Sequence, residues 1–295
     1  MVSIPELYSI YRQHPVVCTD TRQLTPGCLF FALKGGNFDG NKFARQALDQ
    51  GAAYAVIDNK DFKTDNRCLL VADALKALQK LATHHRNHFD IPVIAIGGSN
   101  GKTTTKELIH AVLNTTFKTY TTEGNLNNHI GIPLTLLKVK KDAEIAIVEM
   151  GANHQKEIAG YCVYTRPTHG LITNCGKAHL EGFGSLEGVR KGKGELFDFI
   201  REKSGVVFIN NDYEYLQRMS KGIQKIISYG SENADFTGSS KDSGDGFLQV
   251  SVTSGADLPL IKMHLVGDYN LPNVLVAVAI GKTFAVPEAD RKSVV

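Results

Sequence analysis

Apolar residues in the first ninety positions come in short bursts separated by polar turns, the layout of short strands alternating with helices. Ser3 and Glu6 stand at capping-box spacing ahead of Leu7, Tyr8 and Tyr11, which predicts a helix start. Cys28 to Leu33 is a compact apolar run and reads as a buried strand, as does Tyr54 to Asp58. Lys42 to Gln50 reads as a helix closed by Gly51. Asp73 caps a helix that carries Leu75, Leu78, Leu81 and Ala82 on one face. That helix runs into a polar tail of His84, His85, Arg86 and His88. The i, i+4 pair His84 and His88 lacks a third ligand and reads as a polar helix end, not a metal site. A domain boundary is expected before Ile91-Pro92, giving domains 1–90 and 91–295.

The rhythm then strengthens. Pro92 to Ile96, Glu144 to Glu149, Thr168 to Thr173 and Gly205 to Asn210 are apolar strands with helical patterns between them, which implies a mostly parallel sheet with right-handed crossovers. Ile227 to Leu265 is rich in Ser, Gly and Asp with alternating segments such as Phe247 to Val252, so a small antiparallel appendage is expected. A last helix, apolar on most faces, spans Asn270 to about Phe284.

Composition narrows the function classes. The chain has 295 residues, 42% hydrophobic, with a net charge of +3. Its short basic clusters do not form the stripe of a nucleic-acid binder. No apolar run is long enough for a membrane span, and Met1 to Arg12 lacks the layout of a signal peptide. Five scattered cysteines without a CxxC pair fit a reducing compartment, so a cytoplasmic protein is expected. Cys175 has no base suggested beside it and is given no catalytic role.

One segment carries chemistry. Gly97-Gly98-Ser99-Asn100-Gly101-Lys102-Thr103-Thr104-Thr105 follows a strand and opens a helix. Glycines let the backbone approach phosphate oxygens, and helix N–H groups favour negative charge. Lys102 is placed to reach the β- and γ-phosphates of ATP and Thr103 to ligate Mg²⁺. Ile96 stands where the usual GxxxxGK[ST] spacing has its first Gly, so the loop is the shorter GxxGKT form. The fold class expected is α/β, a small N-terminal domain followed by a P-loop NTPase-like central domain.

The short loop and its repeated threonines resemble the Mur ligases and their folylpolyglutamate synthetase relatives. Further segments carry the resemblance: Thr122 to Asn128 leading into Gly131-Ile132-Pro133-Leu134-Thr135, then Glu149-Met150-Gly151-Ala152-Asn153-His154, Thr173-Asn174, His179 to Ser185, and Lys191 to Glu195. Asp20-Thr21-Arg22, Pro26 to Gly35 and Asp39-Gly40 extend it to the N-terminal part. Asn41 departs from the His that many relatives have after Asp-Gly. Within the family the segments are most similar to the branch that joins D-alanyl-D-alanine to UDP-MurNAc-tripeptide through an acyl phosphate.

The resemblance implies a UDP-sugar-binding first domain, with Thr21 and Arg22 at the UDP end, and an ATP-binding central domain. ATP would contact Gly98, Ser99, Asn100, Gly101, Lys102, Thr103 and Thr104, with Asn270 and Asn273 toward adenine. Glu149 ends a strand at the carboxyl edge of the sheet, where ligands bind in open α/β folds, and would hold Mg²⁺ with Thr103. The resemblance assigns His179 to a second metal. It makes Lys193 a carbamylated lysine that ligates Mg²⁺, whereas the bare sequence also fits a basic, solvated helix face formed by Arg190, Lys191 and Lys193. Gly192 and Gly194 beside it suggest close approach of another backbone or a ligand. Lys102, Glu149, His179 and Lys193 form the implied catalytic set, and Asn127, Asn128, Asn153 and His154 would meet the substrate. Family members carry a third, C-terminal domain that this chain is expected to lack, which would leave it inactive by itself. A monomer is expected. The alternatives are a nucleotide- and UDP-sugar-binding fragment without turnover, or another ligase of the Mur or folylpolyglutamate type.

Overall fold

The structure, a computed structural model, describes residues 1–177, 179–242, 246–258 and 260–288. The end expected for the second domain, residue 295, lies outside the described residues. The chain divides into two units: Met1–Asp90 with His129–Lys140, and Ile91–Asn128 with the described residues from Lys141 onward.

In the first unit α1 (Ile4–Gln13) starts at the full capping box, Ser3 accepting the Glu6 N–H while Glu6 returns to the Ser3 backbone. The short strands β1 (Val17–Cys18) and β2 (Leu29–Phe31), the β3–β4 hairpin (Lys34–Gly35, Phe38–Asp39), α2 (Ala44–Asp49), β5 (Tyr54–Ile57), β6 (Cys68–Leu70) and α3 (Ala74–Arg86) follow. The parallel sheet runs β1-β2-β5-β6. Cys28, Phe30, Ala32, Ala47, Leu48 and Ile57 pack together, as expected of a strand buried on both faces. The helix expected from Lys42 begins as a 3-10 turn over Gly40–Phe43 and becomes α-helical at Ala44. Asp73 caps α3 through the Lys76 N–H at 2.8 Å.

The chain continues into the second unit with β7 (Val93–Gly97), α4 (Lys102–Leu113) and β8 (Thr119–Thr121), then returns to the first unit with α5 (Gly131–Lys138). This corrects the expected boundary for residues 129–140. The reason is burial: α5 is almost wholly apolar and packs against α3. Three polar ties fix it there: Tyr11 Oη to the Leu137 carbonyl, Gln79 Nε2 to the His129 carbonyl at 3.1 Å, and the His85 ring to the Val139 carbonyl at 2.8 Å. The histidine tail of α3 is therefore partly interior, with His85 and Arg86 both buried.

The remaining elements are β9 (Ile145–Glu149), α6 (Glu157–Thr165), β10 (His169–Ile172), α7 (Leu180–Phe183), α8 (Leu186–Glu202), β11 (Val206–Asn210), α9 (Glu214–Met219), β12 (Lys225–Gly230), β13 (Phe236–Asp242), β14 (Phe247–Ser254), β15 (Ile261–Val266) and α10 (Leu271–Thr283). One nine-stranded sheet runs β15-β14-β13-β12-β11-β10-β7-β9-β8. Strands β8 to β12 pair in parallel, β12 joins β13 in parallel, and β13-β14-β15 are antiparallel. The expected α/β class holds, and the antiparallel appendage extends the main sheet instead of forming a separate layer. Helices α4 and α10 lie together over the sheet, their apolar residues joining Ile94, Ile96, Ile147 and Phe208 in one core. No helix among the described residues is long and apolar enough to cross a membrane.

Candidate active site

Because β9, β7, β10 and β11 run parallel, Glu149, Gly97, Ile172 and Asn210 end at one edge of the sheet. The glycine loop leaves β7 there. Gly98 has φ 135° and Gly101 φ 79°, backbone that L side chains rarely adopt. A Cβ on Gly98 would stand 2.0 Å from Thr173 Oγ1, so the loop closes only with glycine there.

The segment after β10 holds the loop. Ser99 N–H donates to the Asn174 carbonyl at 2.9 Å and Asn100 N–H to Asn174 Oδ1 at 3.2 Å. Thr173 Oγ1 and Asn174 Nδ2 donate to the Asn100 carbonyl at 2.6 and 3.1 Å. Ser99 Oγ accepts the Gly176 N–H at 3.0 Å. The first N–H groups of α4, on Lys102, Thr103 and Thr104, have no intrahelical acceptor. The result is a rigid cradle beside the positive end of a helix.

Lys102 opens α4 half-buried, with Nζ donating to the Ser99 carbonyl at 3.1 Å. Burial lowers its pKa, against the pull of the Glu149 carboxylate. Glu149 is 1% exposed. Its Oε2 accepts from the Thr103 hydroxyl at 2.9 Å and its Oε1 from Asn127 Nδ2 at 2.8 Å. Its backbone N–H donates to Thr122 Oγ1 at 3.0 Å. Thr103 and Glu149 thus present two hard oxygen donors side by side next to the cradle, a donor set that fits Mg²⁺. Asn127, expected on the substrate, has its amide engaged with Glu149.

Lys193 is 2% exposed, which corrects the solvated-face alternative. Its Nζ donates to the Ala152 carbonyl at 2.9 Å and lies 5.2 Å from the centre of the Phe183 ring. Burial first, and the Lys102 charge second, bring its pKa down to about 8. Gly192 accommodates that same ring: a Cβ there would meet Phe183 Cε1 at 2.4 Å. The glycine expected to admit a backbone or ligand admits an aromatic side chain. A cleft of about 490 Å³ lies beside this helix, lined in part by Phe183, Ser185, Arg190, Lys191, Gly194 and Met219.

Other expected residues are placed differently. His179 is exposed, with φ 54°, at the start of α7. Among the described residues no hydrogen bond or ion pair joins its ring to Glu149 or Lys193, and no three His, Cys, Asp or Glu side chains gather as a metal group. Asn153 and His154 donate their backbone N–H groups to Glu157 Oε2 at 2.7 and 3.0 Å, with both side chains exposed. Asn128 precedes the passage into α5. Asn270, expected toward adenine, stands at the start of α10 and makes no side-chain capping bond there. Its Oδ1 accepts from Asn273 Nδ2 at 2.9 Å, and Asn273 Oδ1 accepts from Thr105 Oγ1 at 3.0 Å. Both amides are buried and brace α4 behind the loop. Cys175 is buried, and burial pushes its thiol up to about 11.

In the first unit Thr21 and Arg22 form a 3-10 turn capped by Asp20. Arg22 is 86% exposed, and its guanidinium grips the Asp20 carboxylate at 2.6–3.1 Å. Asn41 is 1% exposed and fully engaged with Asp39, Asp58 and Asn59, so it is a structural residue of that unit. The sequence reading missed Thr122 and the loop-bracing roles of Thr173 and Asn174. A polar pair at the end of an apolar strand was the available signal for the latter two.

Residues 96–281 match the Mur ligase middle domain and residues 15–86 match the Mur ligase family, catalytic domain. The chain is 41% identical over 271 residues to the UDP-N-acetylmuramoyl-tripeptide--D-alanyl-D-alanine ligase of Escherichia coli, covering 90% of this chain and 59% of that protein. It is 40% identical over 272 residues to the protein of that name from Synechocystis, covering 90% and 57%. Among solved structures, MurF from Acinetobacter baumannii superposes with a TM-score of 0.84 at 30% identity, covering 94% of this chain and 61% of that one. MurF ligase from Thermotoga maritima in complex with ADP gives 0.83 at 28%, covering 94% and 65%. The chain therefore spans about three fifths of the length of these relatives.

Proposed function

Because the chain belongs to the Mur ligase family, we propose that it serves ATP-dependent amide formation, joining UDP-MurNAc-tripeptide to D-alanyl-D-alanine in peptidoglycan precursor synthesis. The observation that carries this reading is the buried Glu149 carboxylate, held by Thr103 and Asn127 and set against the glycine cradle. The names of the relatives support the choice of substrates.

In this reading a peptide carboxylate oxygen attacks the γ-phosphorus of ATP, the bond to the β-phosphate oxygen breaks, and ADP leaves. The amine nitrogen then attacks the acyl carbon, phosphate leaves with the bonding pair, and the amine proton passes to solvent or a base. The first step brings two anions together. Lys102 and the N–H groups of α4 offset that repulsion in a partly dry site. Thr103 and Glu149 would hold Mg²⁺, which supplies further charge neutralisation at the phosphates. Gly98 to Gly101 shape the cradle, and Thr104 adds a third helix N–H. Asn270 and Asn273 keep α4 in place and retain spare amide protons toward adenine.

Lys193, buried and with its pKa drawn down to about 8, has the neutral amine fraction that carbamylation by CO₂ requires. As a carbamate it would turn a buried cation into an oxygen ligand near Lys102. His179, Asn153 and His154 are exposed and would meet substrate or a second cation. The cleft beside α8 suits the peptide of the acyl donor. Thr21 and Arg22 would take the UDP end in the first unit; Arg22 must then exchange Asp20 for phosphate.

Calorimetry with Mg²⁺-ATP and with UDP-MurNAc-tripeptide tests the reading, and binding of both is the expected result. Failure of UDP-MurNAc-tripeptide to bind sinks the substrate assignment. A second reading is binding of both ligands without turnover. Mass detection of the pentapeptide product separates the two.

A further inference from the structure

Lys106 lies one turn beyond Lys102 on α4 and is 0% exposed. A buried ammonium is costly unless its protons are taken up, and an apolar side chain of like size usually serves packing as well or better. Its presence here calls for a positional reason. Its Nζ donates to the Thr122 carbonyl at 2.5 Å and to Glu107 Oε1 at 2.8 Å. Thr122 is itself fully buried, directly after β8, and its Oγ1 accepts the Glu149 N–H at 3.0 Å. The Glu149 carboxylate in turn meets Thr103 and Asn127. A continuous path therefore runs from the Lys106 ammonium through Thr122 to the main chain of the one buried carboxylate in the cluster.

We infer that Lys106 is a positioning residue for the cation and nucleotide site. It ties the end of β8 to α4, and through Thr122 it fixes where β9 presents Glu149 to Thr103. Helix α4 carries Lys102 and Thr103 one turn earlier, so the same helix that supplies the phosphate and hydroxyl contacts also sets the carboxylate opposite them. Losing the ammonium would leave the cradle intact but free the β8 end and the Glu149 backbone to shift. The defect belongs to cation affinity first, because the path ends on the main chain of the carboxylate, and losing support behind a metal ligand lowers metal affinity. This inference rests on the reading of Thr103 and Glu149 as cation ligands.

The test is calorimetry of ADP binding at a series of Mg²⁺ concentrations and in EDTA, on the parent chain, Lys106→Met and Thr122→Val. Lys106→Met should raise the Mg²⁺ concentration for half-maximal enhancement by about tenfold or more, with ADP affinity in EDTA unchanged within about twofold. Thr122→Val, which cuts only the Glu149 link, should shift the same midpoint less. An unchanged Mg²⁺ midpoint in folded Lys106→Met, or equal losses with and without Mg²⁺, overturns the inference. If Lys106→Met does not fold, an unchanged midpoint in Thr122→Val overturns it instead. A parent chain whose ADP affinity ignores Mg²⁺ refutes the cation site itself and this inference with it.

Discussion

Two polar clusters, one in each unit and each built round a buried side chain, use the same side-chain types to opposite ends. In the first unit Asn41 Oδ1 accepts the N–H groups of Asp58 and Asn59 at 3.0 and 3.3 Å, while its Nδ2 donates to Asp39 and Asp58 at 2.7 and 2.8 Å. All four hydrogen-bonding positions of the amide are filled. Lys34 closes on Asp58 at 2.7 Å, and the first N–H of α3 donates to the other Asp58 oxygen at 3.2 Å. Burial pushes the Asp58 carboxyl up, but the bonds from Lys34, Asn41 and Ala74 outweigh it and hold it below its usual range. In the second unit, among the described residues, Glu149 accepts one side-chain bond on each oxygen, and the adjacent Lys102 ammonium donates to the Ser99 carbonyl. A saturated network pins a loop to a helix. An under-filled one beside a cradle keeps capacity for a ligand, the usual trade of stability against function.

The sharpest break between the two is Lys102→Ala. It should lower Mg²⁺-ATP affinity by about a thousandfold, or roughly 4 kcal/mol, with little change in the unfolding midpoint. Calorimetry beside a urea melt reads both, and unchanged affinity would refute the phosphate-loop assignment.

A matched pair of isosteres comes next. Asp58→Asn sets an amide against the Asn41 amide and loses the Lys34 pair, so a loss of about 2–3 kcal/mol is expected from unsatisfied buried groups. Glu149→Gln removes a buried charge and should change stability by no more than about 1 kcal/mol, while abolishing the Mg²⁺ enhancement of nucleotide binding. Equal destabilisation by the two would erase the contrast drawn here.

Lys193 gives a pH test. With its pKa down to about 8 in the folded chain, labelled CO₂ at fixed dissolved concentration should form a carbamate with a midpoint near pH 8, detectable by carbon NMR and missing in Lys193→Gln. The unfolded chain holds the proton up to the ordinary lysine range near 10.4. It therefore binds more protons between those values, and stability should rise with pH across that window. A carbamate signal that titrates only with exposed lysines would refute this placement.

The smallest effect concerns His85. Burial is the main cause that lowers its pKa; the Val139 carbonyl opposes it, and the charges of His88 and His84 add to it. Below about pH 6.5 the unfolded chain takes up the proton before the folded one, so stability falls as the pH drops. His85→Gln should flatten that acid slope in urea melts; an unaltered slope assigns it to other groups.

Local chemistry was legible in the sequence. The capping box of α1, the glycine loop and the alternation of strands with helices each depend on residues a few positions apart, whose geometry the backbone enforces by itself. That Glu149 ends a strand at the carboxyl edge also followed, because parallel strands share one edge. Residue identity alone did not reveal that Lys193 and Lys106 are interior. A lysine on a helix is ordinarily solvated, and only the packing of Phe183 and of the end of β8 encloses these two. Nor did it place α5 in the first unit, since an apolar helix seeks whichever face is uncovered and sequence order does not name that face. The sequence determined which groups are candidates for binding phosphate and cation. Tertiary structure decided which of them meet, because burial and hydrogen-bond saturation depend on segments far apart in the chain.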